Sequence, residues 1–279
     1  MYLLKKFVTH RKLVALEGTI KLISYIYKKM GIKIKHLWFG IVSSSINEKD
    51  CDIIFAHSLS KEYVSDKNFL IKNSQYTLIT DLTDIEECLF SAIKKNYRYE
   101  IKRCNRIEEE ITYQYYDKLN PIDQSLLDGF ENVYNQMYKD KGIKNIFNKN
   151  QVKNMIENES IVFTIGFYRD IPLVFHSYVY SQNDAKVRFY YSASPFRQEK
   201  LEAERIGRIN KGLHWFDLKT FKEQGIKLYD WGGIANPDNP DGIGKFKLSF
   251  GGKVELLHNV MMGKTLKGKF IIMLLKNKK

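Results

Sequence analysis

Residues 161–193 read IVFTIGFYRDIPLVFHSYVYSQNDAKVRFYYSA, and this stretch decides the fold. It contains three apolar runs of strand length, at residues 161–168, 172–180 and 187–193, all rich in β-branched and aromatic side chains. Arg169-Asp170, between the first two runs, is short enough for a tight turn. The stretch therefore predicts a meander of three neighbouring strands.

A long helix and a fourth strand follow the meander. Residues 203–224 repeat apolar side chains at helical spacing, and Gly225 is placed to end that helix. Residues 226–231 form the fourth predicted strand. Residues 232–244 hold two prolines and four glycines and are predicted to be a loop. The order strand–strand–strand–helix–strand predicts one sheet with the long helix packed on it.

The N-terminal part of the chain is predicted to combine basic helices with short strands. Residues 11–30 have apolar side chains at helical spacing with lysines around them. Thr83 and Glu86 have the spacing of a capping box, which predicts a helix from there to about residue 107. Asn120-Pro121 is the best candidate for a domain boundary. The other predicted elements are strands at residues 37–42, 52–56, 77–82, 111–116 and 254–261, helices at residues 122–139 and 148–158, and a short lysine-rich terminal helix.

The net charge of +13 is concentrated at the two ends of the sequence. Residues 1–50 contain ten Lys or Arg and three acidic residues, and residues 244–279 contain nine lysines and one acidic residue, Glu255. Residues 51–243 carry a net charge of −2. If the two ends meet in space, they form one basic face that attracts RNA, phosphorylated substrates or anionic lipid headgroups. The alternative interpretation is a solubilising lysine surplus without a partner.

Composition and cysteine usage exclude several classes of protein. A hydrophobic fraction of 44% and a charged fraction of 28% are typical of a globular chain, not of a disordered or collagen-like one. No apolar run approaches the roughly 18 residues that cross a bilayer. Cys51, Cys88 and Cys104 are odd in number and scattered, so the sequence indicates neither a disulfide framework nor a metal site. A reducing cytoplasm is the simplest interpretation.

The predicted element order resembles the fold of the Gcn5-related N-acetyltransferases. In that fold two neighbouring strands splay apart, the acyl donor lies in the gap, and the following helix directs its N-terminus at the donor's pyrophosphate. A coenzyme A site of that superfamily is expected to show Arg/Gln-x-x-Gly-x-Gly/Ala. This chain has Glu204-Arg-Ile-Gly207-Arg-Ile209, which lacks the second small residue and has an acidic residue at the first position.

Three segments resemble sequence motifs of one more specific family, the FemABX peptidyltransferases. Residues 89–103 (LFSAIKKNYRYEIKR) are similar to the basic helix of that family, and Tyr229-Asp-Trp-Gly-Gly233 looks like its strand-end motif. Residues 242–252 (GIGKFKLSFGG) resemble its Phe-Lys-x-x-Phe-Gly-Gly signature, which is the most specific of the three. The resemblance spans roughly residues 75–262. FemABX enzymes have two acyltransferase-like lobes and attach amino acids from aminoacyl-tRNA to cell-wall precursor peptides.

The resemblance implies an α/β protein with an acyl-CoA N-acyltransferase-like fold, in which helices flank a mixed, mostly antiparallel sheet. It implies a reduced first lobe at residues 1–118, an acyltransferase-like lobe at residues 119–262, and a basic C-terminal segment at residues 263–279 that returns to the first lobe. No coiled-coil arm of the kind that some members use to bind tRNA is found in the sequence.

The implied function is transfer of an aminoacyl or acyl group to an amine on a cell-wall or surface-polysaccharide precursor. No cofactor is expected to be bound permanently, and the donor is either aminoacyl-tRNA or acyl-coenzyme A. Expected partners are a phosphorylated or lipid-linked glycan precursor, tRNA, and an anionic membrane surface. The expected location is the cytoplasm, either free or peripheral at the inner face of the membrane. Two alternatives stay open: a coenzyme-A-dependent N-acyltransferase acting on a nucleotide-linked amino sugar, and a non-catalytic basic adaptor on membrane or RNA.

Amide formation needs a group that handles the amine's proton and a group that stabilises the oxyanion. Asp230 ends a predicted strand and could orient or deprotonate the amine, or it could simply cap the loop before Gly-Gly. Lys247 could donate to the oxyanion or hold a phosphate. His176 lies mid-strand and is either a catalytic group or a satisfied core histidine. We predict that these three residues line one cleft.

Further residues are expected to bind the substrates. Arg98 and Arg103 on the basic helix could clamp a phosphate, or belong to a solvated helix face. Tyr190 and Tyr191 should point to opposite faces of their strand, so that one of them lines the cleft. The complete set of expected substrate-binding residues is Arg98, Arg103, Tyr191, Ser194, Arg197, Trp231, Gly233 and Phe250.

Overall fold

The computed structural model describes residues 24–40, 50–61, 69–106, 110–195 and 200–277. Within these ranges it contains ten strands and seven helices. The strands are β1 Ser24–Lys29, β2 Ile32–Trp38, β3 Ile53–Leu59, β4 Leu70–Asp81, β5 Ile111–Tyr116, β6 Ile161–Tyr168, β7 Ile171–Ser181, β8 Lys186–Ala193, β9 Leu228–Ile234 and β10 Lys253–Gly263. The helices are α1 Glu86–Ala92, α2 Lys95–Cys104, α3 Gln124–Asp140, α4 Lys149–Glu157, α5 Lys200–Glu223, α6 Gly242–Leu248 and α7 Leu266–Lys276.

All ten strands belong to one sheet, in the order β1-β2-β3-β10-β4-β9-β8-β7-β6-β5. Every neighbouring pair is antiparallel except β2 with β3 and β8 with β9, which are parallel. The expected mixed and mostly antiparallel sheet flanked by helices is confirmed. The four predicted strands of the second lobe, β6 to β9, lie side by side as expected.

Helices cover both faces of the second lobe's strands. Residues of α3 and α4, such as Phe130 and Met155, pack on Phe163 and Phe175 on one face. On the other face, α5 packs its buried stripe on β7 and β9. Because both faces are covered, β6 is buried along almost its whole length, which explains its continuous apolar sequence.

The long strands β8 and β9 are paired over a short distance and then part. Their parallel ladder joins Lys186, Val187 and Arg188 to Leu228, Tyr229 and Asp230. Beyond this ladder β8 continues to Ala193 and β9 to Ile234. The sheet therefore opens between them, at the carboxyl ends of two parallel strands, where α/β proteins place their ligands.

The sheet curls so that its first strands approach the opening. Trp38 on β2 contacts Tyr190 on β8 edge-on, with ring centroids 5.9 Å apart, although five places in the strand order separate the two strands. Tyr25 on β1 accepts a hydrogen bond of 2.8 Å from Gln151 Nε2 on α4. Strands β1 and β2 thus form a wall beside the opening between β8 and β9.

The terminal segment lies against the first lobe. Strand β10 is inserted between β3 and β4. At the start of α7, Thr265 Oγ1 donates to Asp52 Oδ1 at 2.6 Å, and Lys267 Nζ donates to the carbonyl of Gly31 at 2.7 Å. Among the described residues, no helix is long and apolar enough to cross a membrane.

Two helix predictions in the N-terminal part are wrong. Residues 24–29, expected at the end of a helix over residues 11–30, form β1, because every residue from Ser24 to Lys29 pairs with β2 across a hairpin. Residues 11–23 lie outside the described ranges. The helix expected from Thr83 to residue 107 is two helices, and Thr83 is no cap: its hydroxyl donates to Asp81 Oδ1.

The break between α1 and α2 has a tertiary cause. The N–H of Lys94 donates to the carbonyl of Ser249 at 2.8 Å, instead of continuing the helical ladder, and Ile93 is buried. A third difference concerns the predicted loop at residues 232–244. Strand β9 extends to Ile234, and α6 begins at Gly242, because the Asp241 side chain accepts from the N–H of Gly244 at 2.6 Å and caps the helix.

Candidate functional site

A cleft of about 1660 Å³ lies at the opening between β8 and β9. The second half of α3 forms one wall, and α5 and α6 contribute the groups nearest to β9. Of the residues predicted for the site, the cleft is lined by Lys247, Tyr191, Ser194, Trp231 and Gly233.

Lys247 is presented to the cleft by α6. Its Nζ donates to the carbonyl of Gly233 at 2.8 Å, just beyond the point where β9 leaves β8. Burial, together with the positive charge of Arg188, lowers the pKa of Lys247 from 10.5 to about 8. An ammonium group with such a pKa is still mostly protonated at pH 7 and can donate a hydrogen bond, and it loses its proton as pH rises through about 8.

Asp230 lies behind the cleft, and its side chain is fully buried. Arg188 Nη1 donates to its Oδ2 at 2.5 Å. Its Oδ1 accepts from the N–H of Gly232 at 2.9 Å and from the hydroxyl of Thr77. These contacts use both carboxylate oxygens to fix β9 against β8 and β4 at the opening. The contact with Gly232 matches the alternative interpretation, in which Asp230 caps the loop before Gly-Gly, and a role of Asp230 towards the amine stays a prediction.

His176 is also fully buried and does not line the cleft. Its Nδ1 lies 2.8 Å from Asp217 Oδ2, and its Nε2 lies 2.8 Å from Asn210 Oδ1. Both ring nitrogens of His176 are thus engaged by side chains of α5 within the core. The structure therefore does not bring the three predicted catalytic residues into one cleft: Lys247 lines it, and Asp230 and His176 stand behind it.

His214 lines the cleft and was not predicted. Its Nδ1 lies 3.4 Å from Tyr229 Oη, which is 2.8 Å from Tyr178 Oη, and the Tyr178 hydroxyl donates to Asp217 Oδ2. Because the Asp217 carboxylate can only accept a hydrogen bond, Tyr178 donates to Asp217, Tyr229 donates to Tyr178, and His214 Nδ1 donates to Tyr229. The series holds the proton of His214 on Nδ1 and leaves Nε2 with its lone pair.

Burial lowers the pKa of His214 well below its ordinary value of 6.5, and the neighbouring His176 lowers it further. His214 is therefore neutral at pH 7 and able to accept a proton. A signal for this residue was present in the sequence. Asn210, His214 and Asp217 are spaced i, i+4 and i+7 and form a polar stripe on an otherwise apolar face of α5.

The Phe-Lys-x-x-Phe-Gly-Gly segment builds the wall that presents Lys247. Phe250 is buried against Trp231 and His214, with ring centroids 4.7 and 5.3 Å away. Trp231 Nε1 donates to Thr80 Oγ1 at 2.8 Å. These contacts give Trp231 and Phe250 a packing role beneath the cleft.

The backbone conformation at Gly252 explains why the second residue of the Gly-Gly pair is a glycine. Its φ is +111°, and a Cβ atom there would lie 2.6 Å from the carbonyl oxygen of Ile79. Only glycine fits this position without moving the backbone of β4.

Tyr190 and Tyr191 both line the cleft, so the prediction that strand alternation separates them is wrong. The ladder with β7 shifts register between Ser177 and Tyr178, and Tyr190 has no partner in it. This bulge turns both rings to the same region, with centroids 4.4 Å apart. Ser194 follows at the end of β8, and Arg197 lies outside the described residues.

The predicted phosphate clamp on α2 is not part of the cleft lining. Arg98 is engaged with the carbonyl of Ser91 at 3.1 Å, and Arg103 is half-buried on the same helix. The cleft instead receives Tyr97 from α2, with Lys211 of α5 above its ring at 5.1 Å. Burial lowers the pKa of Lys211.

Two groups of residues bear on the binding of a metal or of coenzyme A. His176, His214 and Asp217 have potential metal-ligand atoms within 4.8 Å of one another, but His176 and Asp217 already bond each other at 2.8 Å. In the segment that departs from the coenzyme A pattern, Gly207 lines the cleft, whereas Ile209 is fully buried in the core. The isoleucine thus packs α5 on the sheet and does not face the cleft.

No family model matches the chain, and no curated protein matches it. Solved structures do. FemX matches with a TM-score of 0.57 and 12% identity, over 88% of this chain and 86% of that one. The chain has a FemX-like acyltransferase fold. The C-terminal domain (DUF2156) of a proposed lysylphosphatidylglycerol synthetase from Agrobacterium fabrum matches with a TM-score of 0.56 and 10% identity, over 90% of this chain and 87% of that one. L-PGS from Bacillus licheniformis matches with a TM-score of 0.52 and 12% identity, over 90% of this chain and 84% of that one.

Proposed function

We propose that this protein is an acyltransferase that joins an aminoacyl or acyl group to an amine of a phosphorylated or lipid-linked precursor of the cell envelope. The observation that carries the proposal is the pairing of Lys247 and His214 in one cleft, at the opening of an acyltransferase sheet. One is a donor with a pKa of about 8, and the other is a neutral histidine whose proton is held away from the cleft.

The chemistry assigns each group one task. The acceptor's nitrogen attacks the donor's carbonyl carbon and forms the C–N bond, while the ester C–O or thioester C–S bond of the donor breaks. His214 Nε2 takes the proton that the nitrogen loses and passes it to the leaving oxygen or sulfur. Lys247 Nζ donates to the oxyanion of the tetrahedral intermediate. Asp230 positions Gly232 and Gly233 beside it.

Cationic side chains in the cleft support a phosphorylated ligand. Lys139 and Lys141 from the end of α3 and Lys211 from α5 line it, with Asp140 and Asp241 as the acidic members of the lining. Phosphate groups on a nucleotide, a lipid or the end of a tRNA would be attracted here.

The similar structures support a lipid-linked acceptor. A lysylphosphatidylglycerol synthetase, by its name, makes an aminoacylated lipid, and because the headgroup of phosphatidylglycerol offers a hydroxyl and no amine, this likeness supports the lipid part of the acceptor and not its amine. A lipid-linked acceptor fits a protein that works at the inner face of the membrane, with residues 1–118 as a reduced lobe, residues 119–262 as the transfer lobe and residues 263–279 as a returning segment. Transfer from acyl-coenzyme A to a nucleotide-linked amino sugar is the second candidate, because the cleft has room for such a donor.

The test begins with the donor. Purified protein is incubated separately with a pool of aminoacyl-tRNAs and with a panel of acyl-coenzyme A thioesters, and bound species are identified by native mass spectrometry. Transfer from the bound donor to an amine-bearing lipid or nucleotide sugar is then followed with the wild type and with Lys247→Met. We expect one donor class to be retained and transfer to depend on Lys247. Binding of neither class would contradict the proposal and favour a non-catalytic adaptor.

A further inference from the structure

The terminal helix α7 exposes an apolar stripe. Leu266, Phe270, Met273 and Leu274 are spaced i, i+4, i+7 and i+8, so they share one face of the helix. Leu266 is 86% exposed and Phe270 is 56% exposed. The opposite face, with Gly268 and Ile272, is buried, and the helix packs chiefly against β10. A helix that is already packed on one side would not need apolar side chains on the other for folding.

Positive charge surrounds the stripe. Residues 264–279 contain six lysines and no acidic residue. Lys267 also ties the helix to the turn between β1 and β2, through the carbonyl of Gly31 at 2.7 Å. At this turn Met30 is 90% exposed, and Lys28 and Lys33 flank it as exposed residues on the two strands.

The hairpin tip and the helix therefore form one surface in which apolar side chains project among lysines. Such a surface fits an anionic bilayer, which offers acyl chains to the apolar residues and phosphate groups to the lysines. A second copy of the chain fits it poorly, because stripe-to-stripe packing would bring lysines against lysines.

We propose that α7 and the tip of the β1–β2 hairpin dock this protein on an anionic membrane surface. The inference extends the proposed function, since it names where a lipid-linked acceptor would be met. The docking itself requires no transfer chemistry.

The experiment is co-sedimentation of the full chain with vesicles. Vesicles of phosphatidylcholine alone are compared with vesicles of phosphatidylcholine and phosphatidylglycerol in a ratio of about 3:1. We expect binding to the anionic vesicles only, and weaker binding when sodium chloride is raised from about 0.1 to about 0.5 M. The double variant Leu266→Ser/Phe270→Ser should lower the partition coefficient by about tenfold or more. The matched control Leu119→Ser/Ile171→Ser removes two apolar side chains elsewhere that are 66% and 58% exposed, and it should bind as the wild type does.

Thermal unfolding shows whether each variant is folded, and light scattering gives the mass of the free protein. Wild-type affinity in the Leu266→Ser/Phe270→Ser variant would overturn the proposal, because the lysines alone would then account for binding. A second result would also overturn it: a wild-type protein that is a dimer and does not bind vesicles, together with a Leu266→Ser/Phe270→Ser variant that is a monomer. A protein that binds vesicles but transfers no acyl group would refute the proposed function and leave the membrane-docking inference intact. A protein that transfers the acyl group but does not bind vesicles would refute the docking inference and leave the proposed function intact.

Discussion

Arg188 and Asp230 are the last pair of the parallel ladder between β8 and β9, and their side chains join at 2.5 Å where the strands part. The pair closes the floor of the cleft. Arg188 is nearly buried and Asp230 is fully buried, so water cannot solvate either charge if the other side chain is removed. The opening of the sheet thus begins at an ion pair.

Asp230→Asn should destabilise the protein by roughly 3–5 kcal/mol, because it leaves the Arg188 guanidinium buried without a counter-charge. Urea unfolding measures this. The double variant Arg188→Met/Asp230→Asn should recover part of the loss, since no charge is then left alone. Turnover of Asp230→Asn should fall without relief at higher pH. A loss of stability below about 1 kcal/mol would show that the pair does not hold the strands.

Lys247→Met should lower kcat by roughly 10²–10³-fold and leave the fold intact, as expected for loss of one oxyanion donor. Lys245→Met is the matched control, because Lys245 is exposed on the same helix and does not line the cleft. Near-normal transfer by Lys247→Met would remove this lysine from the mechanism.

The pH profile should report the same lysine. Lys247 must carry its proton in order to donate, so activity should be retained below its pKa and fall as pH rises through about 8. In Lys247→Arg, whose side chain stays charged, that alkaline decline should move to higher pH or disappear. An unchanged alkaline limb in Lys247→Arg would assign the decline to another group.

His214→Gln should lower kcat by roughly 10²–10⁴-fold with little effect on donor binding, because the proton acceptor is lost. Tyr229→Phe interrupts the series of hydroxyls that leads to Asp217 and should shift the acid limb of the pH profile. Tyr180→Phe, which alters a hydroxyl bound to Gln182 at the surface, serves as the control. Full activity in His214→Gln would point to the acceptor amine losing its proton directly to solvent.

The buried pair His36–His57, joined at 2.8 Å, should make the fold sensitive to acid. Burial lowers the pKa of His36 to about 4 and that of His57 well below 6.5. Between pH 6.5 and 4 the unfolded chain binds protons that the folded chain does not, so stability is complete above pH 6.5 and declines as pH falls below it. His36 alone should account for roughly 2 kcal/mol at pH 5.

Urea unfolding at pH 7.5 and pH 5 checks this. His36→Gln should reduce the difference in stability between the two pH values, and His258→Gln, whose ring bonds Ser74 near the surface, should not. Equal pH dependence in the wild type and His36→Gln would contradict the assignment.

Gly252→Ala should destabilise the fold far more than Gly225→Ala. Both glycines have positive φ, so both substitutions strain the backbone, but a Cβ at Gly225 meets nothing within 4 Å. The excess loss in Gly252→Ala measures the close approach to Ile79. Equal unfolding midpoints for the two variants would show that β4 moves aside at little cost.

The sequence predicted the elements whose signals are local. The strands β5 to β8 and the helices α3 to α5 were found within a few residues, because long apolar runs and helical stripes act over short distances. Helix α6 was missed because two prolines and four glycines outweighed a single capping residue, Asp241. The helical spacing of the apolar side chains predicted a helix at residues 24–29, but pairing with β2 makes this segment the strand β1.

The site was harder to predict than the fold. The motif pointed to Lys247, and the structure places it in the cleft. Whether a polar side chain lies in a cleft or one layer behind it depends on packing across the sheet. This is why the sequence pointed to His176 and gave no prediction for His214, although the centroids of the two rings lie 4.2 Å apart. The Tyr190 bulge likewise depends on the neighbouring strand, which the alternation of a single strand does not reveal.

The position of β10 has a consequence for biosynthesis. This strand lies between β3 and β4, which precede it by about 200 residues in the chain. Until residue 263 has left the ribosome, β3 and β4 each have an unpaired edge, and this part of the sheet cannot close. The meander β6 to β8 and the helices α3 to α5 can form earlier from their local contacts. Synthesis should therefore pass through a stage in which the meander is folded while β3 and β4 are incompletely paired, and nascent chains at that stage should need protection by a chaperone.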